Sequence, residues 1–327
     1  MTVIVTGAAG FIGFHVCSVL LARGETVVGI DSLNSYYSVA LKLARLDRLK
    51  ESGNFRFEQL DLSDEVATSD VFAKSGDATH IIHLAAQAGV RYSFENPLSY
   101  LSANLAGHMM VLEAARRLPR LEHLVYASSS SVYGGNTKLP FSVDDDVSRP
   151  ISLYAATKRA DELISYSYAS MHGLPSTGLR FFTVYGPWGR PDMAAYLFAD
   201  AIVAGKPIRV FNNGQMQRDF TYIDDIVSGI LAASERAALP DASGVRHAVY
   251  NLGNNRSESL LRFIEIIEHA LGRKAEMKFE PMQKGDVEAT FADIEASRRD
   301  LGFAPSTPIE SGIPRFIEWY KMYHGLA

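Results

Sequence analysis

Short apolar, β-branched runs alternate along the chain with longer stretches in which apolar residues recur every three or four positions. Val3 to Thr6 is the first such run, and a glycine-bearing turn and an apolar helical segment reaching Leu21 follow it. Val27-Val28-Gly29-Ile30 repeats the strand signal. Further strand patterns fall near Phe55 to Leu60, Ile81 to Leu84, Leu124 to Ala127 and Thr177 to Phe181. Helical patterns separate them, including Tyr100 to Arg116 and Tyr154 to Ser170. This rhythm predicts an α/β fold built on a doubly wound parallel sheet. Beyond Phe182 it loosens, prolines and glycines increase, and Ile208-Arg209-Val210-Phe211 reads as a strand outside the alternation. The expected division is a dinucleotide-binding (Rossmann) domain over 1–181. A smaller, partly interleaved substrate region over 182–327 returns some segments to it.

The first turn carries chemistry. In Gly7-Ala8-Ala9-Gly10-Phe11-Ile12-Gly13, Gly7 permits a tight turn and Gly10 lets main chain approach a pyrophosphate. Gly13 lets helix and strand pack closely, with helix N-terminal amides aimed at the anion. The second strand ends in Asp31, where a carboxylate can bind both adenosine-ribose hydroxyls and repel a 2′-phosphate. NAD is therefore expected rather than NADP. Tyr154 and Lys158, four residues apart on a predicted helix, share one face and form a candidate acid/base unit. A free tyrosine ionises near a pH of about 10, so it needs a partner to act near neutrality, and Lys158 is that candidate.

Composition narrows the classes. A chain of 327 residues with a formal net charge of −5 buries a large core and offers no basic stripe for nucleic acid. The single Cys17 excludes an internal disulfide and is read as a small apolar core residue in a reducing compartment. No charged leader or membrane-length apolar stretch is visible, so a cytoplasmic location without membrane attachment is expected. Asp144-Asp145-Asp146 is read as a solvated loop, and no metal is expected.

Several segments together resemble the extended short-chain dehydrogenase/reductases, in the nucleotide-sugar epimerase/dehydratase group. They are Gly7 to Gly13, Asp31, Asp61-Leu62, Leu84-Ala85-Ala86-Gln87, the serines before Val132-Tyr133-Gly134, and Tyr154 with Lys158. More narrowly, Asp31 to Tyr37, Gln87 to Ser93, Tyr185 to Ala194 and Arg218 to Tyr222 look like UDP-glucuronate 4-epimerases. The resemblance implies an NAD site that adds Asn34, Asp61, Leu62, Leu84, Ala85, Ala86 and Gln87 to the glycine loop and Asp31. It implies a UDP-sugar substrate and a third catalytic group at Ser129, with Ser130 beside it. It also implies a homodimer built through the helices at Tyr100 to Arg116 and Tyr154 to Ser170.

Departures from related patterns refine the expectation. Nucleotide-sugar dehydratases place Asp-Glu where this chain has Ser130-Ser131, so elimination of water lacks its acid and base. Related decarboxylases keep a glutamate at the position of Ser131. Arg190 could engage a sugar carboxylate or the diphosphate, with an ion pair to Asp192 as the competing account. Thr183 stands where many hexose epimerases have asparagine, Arg218 matches an arginine used on the pyrophosphate, and Asp286 matches an aspartate that meets the uridine ribose. Gln283 replaces a second phosphate-binding arginine. The expected activity is NAD-dependent epimerisation at C4 of UDP-glucuronate through a transient 4-keto sugar. UDP-glucose 4-epimerase, then UDP-glucuronate decarboxylase, are the alternatives among enzymes, and a silent NAD-binding regulator is the alternative outside them.

Overall fold

The computed structural model describes residues 1–283 and 285–326. Seven strands form one parallel sheet. They are β1 (Thr2–Thr6), β2 (Thr26–Asp31), β3 (Phe55–Gln59), β4 (His80–His83), β5 (His123–Ser129), β6 (Ser176–Phe181) and, far along the chain, β11 (His247–Leu252). Their order is β11-β6-β5-β4-β1-β2-β3. This is the doubly wound Rossmann arrangement. The chain winds outward from β1 through β3, then restarts at β4 on the other side of β1, which opens a crevice between the carboxyl ends of β1 and β4.

The sheet is covered on both faces, as parallel sheets require. Val3 and Val5 point into a core shared with Phe14 and Cys17 of α1 (Phe11–Ala22). Ile4, between them, points into a second core with Phe72 of α3 (Glu65–Ala73) and Val111 and Leu112 of α6 (Gly107–Ala115). Helix α2 (Val39–Lys50) adds Leu41, Leu46 and Leu49 to the first core.

The Tyr100 to Arg116 pattern is one helical run with a widened middle. Past the short turn α4 (Tyr92–Glu95), α5 (Pro97–Tyr100) continues through a π-helical segment, Leu101–Ala106, into α6. Buried Asn104 lies in that widened turn and points its amide at Gln87 and Thr157. The Tyr154 to Ser170 pattern is continuous in α7 (Leu153–His172), capped by the Ser152 hydroxyl on the Ala155 amide and ended by left-handed Gly173.

Beyond β6 the strands are short and pair in twos. β7 (Thr183–Tyr185) pairs with β10 (Phe220–Tyr222), β8 (Ile208–Val210) with β13 (Met277–Phe279), and β9 (Gln217–Arg218) with β12 (Glu258–Ser259). The run at Ile208 is thus a strand outside the main sheet. Helix Leu260–Leu271 holds these pairs by its apolar face, with Phe263 stacked on Phe220 at 4.0 Å between ring centres.

Candidate active site

The glycine turn is tied to its neighbours by distances only glycine allows. Gly7 has φ +72°, and a Cβ there would lie 2.8 Å from the Ala85 amide nitrogen. A Cβ on Gly13 would lie 2.0 Å from the Gly7 carbonyl oxygen. Gly10 starts α1 without a side-chain cap, which leaves the first-turn amides from Phe11 and Ile12 onward for a ligand. Asp31, at the end of β2, accepts from the Ala9 amide at 3.1 Å and the Leu33 amide at 2.9 Å. Each carboxylate oxygen keeps a lone pair for a hydroxyl. An uncapped helix start, a cradle that any Cβ would fill and a carboxylate one strand away fit NAD at the β1/β4 crevice.

The other cofactor candidates surround this crevice. Asn34 accepts from Lys42 Nζ on both its main-chain and side-chain oxygens, at 2.7 and 2.8 Å. Exposed Asp61 holds Ser63 through its hydroxyl and amide, and Leu62 is buried. Leu84, Ala85 and Ala86 follow β4, where Thr6 Oγ1 accepts from the Ala85 amide at 3.1 Å. Gln87 is held at both main-chain groups by Asn104.

Tyr154 sits half-buried in the first turn of α7, its ring edge-on to Tyr100 at 6.0 Å. Lys158, one turn on, is buried and donates to the Ala127 carbonyl and to Asp161 Oδ2, each at 3.0 Å. The lysine therefore has a carboxylate partner that the sequence reading did not assign. Ser129 ends β5, and its hydroxyl accepts from the Ser131 amide at 3.1 Å; Ser130 is partly exposed beside it. Ser128 turns inward and donates to Glu162 at 2.6 Å. Glu162 also takes a two-pronged bond from buried Arg180 at 2.8 and 2.9 Å. Although burial pushes the Glu162 carboxyl up, Arg180 holds it below the ordinary glutamate value.

Thr183 and Arg190 line one cavity together with Phe11 and Gly189. Arg190 is engaged: its Nε lies 3.0 Å from Asp192 Oδ1 and its Nη2 reaches Oδ2, while Tyr36 donates to the same carboxylate at 3.1 Å. The ion pair with Asp192 is thus present, and it uses two of the three guanidinium nitrogens. Arg218 pairs with Asp286 at 2.6 Å, so two substrate candidates meet each other. Arg91 approaches the other Asp286 oxygen at 4.0 Å and stacks over Phe211. Arg91, Asn104 and Asp161 are the site residues that sequence reasoning passed over. Two of them had a local signal: Asp161 its spacing of three from Lys158, and Arg91 its place in the Gln87 to Ser93 run.

Among the described residues, no group of three or more His, Cys, Asp or Glu is arranged to hold a metal, and no helix is long and apolar enough to cross a membrane.

Fold and crevice define a nucleotide-dependent α/β enzyme class, and similarity gives the family. The profile of the NAD dependent epimerase/dehydratase family matches residues 3–253, and the chain belongs to that family. It is 47% identical over 334 residues to UDP-glucuronate 4-epimerase 4 of Arabidopsis thaliana, covering 99% of this chain and 76% of that one. Protein CapI of Staphylococcus aureus is 46% identical, over 99% of each chain. Among solved structures, UDP-glucuronic acid 4-epimerase from Bacillus cereus, in complex with UDP-glucuronic acid and NAD, is 32% identical with a TM-score of 0.90. That match covers 99% of this chain and 100% of the other.

Proposed function

We propose that this protein is an isomerase that interconverts UDP-glucuronate and its C4 epimer, UDP-galacturonate, with NAD as cofactor. The observation that carries the reading is the pair Tyr154 and Lys158 one turn apart on α7, with buried Lys158 anchored beside the end of β5, supported by relatives named for this activity. NAD, when bound, supplies a reversible hydride acceptor, so the sugar undergoes oxidation and reduction without net redox change.

The chain's own residues do the rest. Tyr154, with Lys158 buried one turn away, takes the proton from the 4-hydroxyl and returns it to the 4-oxygen after the sugar has turned to present its other face. Ser129 can donate to and accept from the 4-oxygen. Arg91 and Arg218 supply guanidinium charge for the diphosphate, and Asp286 is displaced toward the uridine ribose. A uronic acid oxidised at C4 is a β-keto acid, which loses CO₂ when its carboxyl aligns with the ketone. Arg190 Nη1, which makes no hydrogen bond among the described residues, and the Thr183 hydroxyl hold that carboxylate away from alignment. Residues 1–181 form the cofactor side and 182–327 most of the sugar-nucleotide side, with β11 returning from the later part to the main sheet and Arg91, Ser129 and Tyr154 reaching the sugar nucleotide from the earlier one. Exposed Leu163, Tyr166 and Met171 on α7 support a homodimer through that helix, and a cytoplasmic location belongs to the same proposal.

The test is to incubate the protein separately with UDP-glucuronate and UDP-glucose and follow products by NMR. UDP-galacturonate from the first, with little UDP-galactose or UDP-pentose, is expected. A faster reaction of UDP-glucose would replace the uronic-acid reading with a hexose one, and dominant pentose would indicate a decarboxylase.

A further inference from the structure

Asp161 is fully buried, follows Lys158 by three residues on α7, and places Oδ2 3.0 Å from the lysine Nζ. Its other oxygen, Oδ1, is buried without a hydrogen-bond partner. A carboxylate so poorly satisfied is costly to bury, and among the described residues its one charged contact is Lys158. Most (i, i+3) pairs on a helix lie at the surface and matter little. This one is sealed between the helix and the end of β5, with the Ala127 carbonyl as the lysine's second anchor.

We infer that Asp161 is a positioning residue of the reaction: its carboxylate holds the Lys158 ammonium at the Ala127 carbonyl and offsets its charge, and thereby sets the positive potential that Tyr154 meets. The inference rests on the reading of Tyr154 and Lys158 as the acid/base unit and adds a third member that acts through the lysine.

The surrounding groups leave Asp161 in control of that charge. From β4 and α6, His83 and His108 face the lysine, and burial lowers both well out of the charged range near neutrality. From β5, burial keeps the Tyr126 phenol protonated, and from α5 Tyr100 is likewise raised. On α7 itself Glu162 is charged, but Arg180 of β6 and Arg159 neutralise it. From the widened turn, Asn104 reaches α7 as an uncharged amide. The balance at Lys158 therefore depends on whether Asp161 is ionised. Burial raises that carboxyl to about 6, so the pair changes charge within reach of a mildly acidic medium.

Removing the Asp161 charge leaves the lysine uncompensated, and an uncompensated cation favours the phenolate. Asp161→Asn keeps the shape and an acceptor for Nζ while removing the charge. The measurement is ultraviolet difference titration of the NAD-loaded protein, each form referenced to its Tyr154→Phe counterpart so that Tyr154 alone is read. The pH profile of kcat/KM for UDP-glucuronate is recorded in parallel. Asp161→Asn is expected to move the ionisation of Tyr154 and the matching limb of the profile down by about one pH unit, while Asp161→Glu leaves both near their wild-type positions. If Asp161→Asn does not fold, Asp161→Ser, which leaves room for water beside Nζ, carries the same expectation. An ionisation that stays in place in the folded variant, whatever happens to Tm or turnover, overturns the inference and leaves Asp161 a packing residue. Full turnover in Tyr154→Phe is a different result, which removes the acid/base reading and this inference with it.

Discussion

Arg45 Nη2 donates at 2.6 Å to the main-chain carbonyl of Trp188, 143 positions away in the sequence. The same fully buried guanidinium reaches the Ala9 carbonyl of the glycine turn at 2.8 Å and the Gly189 carbonyl at 3.3 Å. Trp188 is held at φ +59°, a left-handed conformation that costs a non-glycine residue about 1 kcal/mol or more. One side chain thus locks the cofactor turn to the strained segment that presents Arg190.

Arg45→Met should therefore do two things. Loss of charged hydrogen bonds to buried carbonyls should lower stability by at least about 2 kcal/mol, read as a shift in denaturant midpoint. With Arg190 less well placed, UDP-pentose should rise among the products. A variant as stable as the parent with an unchanged product ratio would deny Arg45 this coupling.

Tyr154→Phe keeps the ring against Tyr100 but removes the acid/base, so turnover should fall by roughly 10² or more with the fold intact. Lys158→Met should also cripple turnover and move the basic limb of the pH profile. It leaves buried Asp161 without its ammonium partner, so it should lower stability as well, whereas Tyr154→Phe should not. Near wild-type rates in Tyr154→Phe would mean that another group is the base.

Arg190→His should lower epimerisation and raise the share of UDP-pentose, because a loosely held carboxylate can rotate into alignment for CO₂ loss. Its effect should exceed that of breaking the ion pair from the other side with Asp192→Asn, which spares the guanidinium. Equal loss of activity in both, without pentose, would assign Arg190 to structure alone.

Stability should fall steeply below pH 6.5. Burial lowers His15, His123 and His247 to about 4 and His108 to about 3, and lowers His83 as well, from an ordinary 6.5. Groups lowered on folding stabilise the protein above their unfolded value, and that contribution drains away as pH falls toward the folded value. Asp161 and Asp219, both raised to about 6 by burial, act in the opposite sense, since the folded form holds their protons. The lowered histidines outnumber these two carboxyls, so unfolding takes up protons on balance near pH 5 and stability falls as pH drops through that range. Denaturant midpoints at pH 7 and pH 5 check this, and His247→Phe should remove about one proton from the difference. A flat profile over that interval would be incompatible with neutral buried histidines.

What the sequence by itself determined was everything written in short-range periodicity. The alternation of apolar runs predicted the parallel sheet, the glycine spacing predicted the turn at Gly7, and the four-residue step from Tyr154 to Lys158 put both on α7. These follow from neighbours along the chain, where helix and strand geometry fix which side chains share a face. The π-helical widening at Leu101–Ala106 escaped that logic, because it keeps a helical apolar pattern while changing the hydrogen bonding of the main chain. The tertiary structure alone decided the rest. Arg218 meets Asp286 across 68 positions only because the segment at Asp286 returns beside β9. Arg45 reaches Trp188 only because the glycine turn and the chain after β7 converge at the same crevice. Even Asp161, whose spacing from Lys158 was in plain view, could have been a solvated surface pair. Its burial against β5 was decided by how α7 lies on the sheet, and burial is what turns an ordinary helix ion pair into a control on charge.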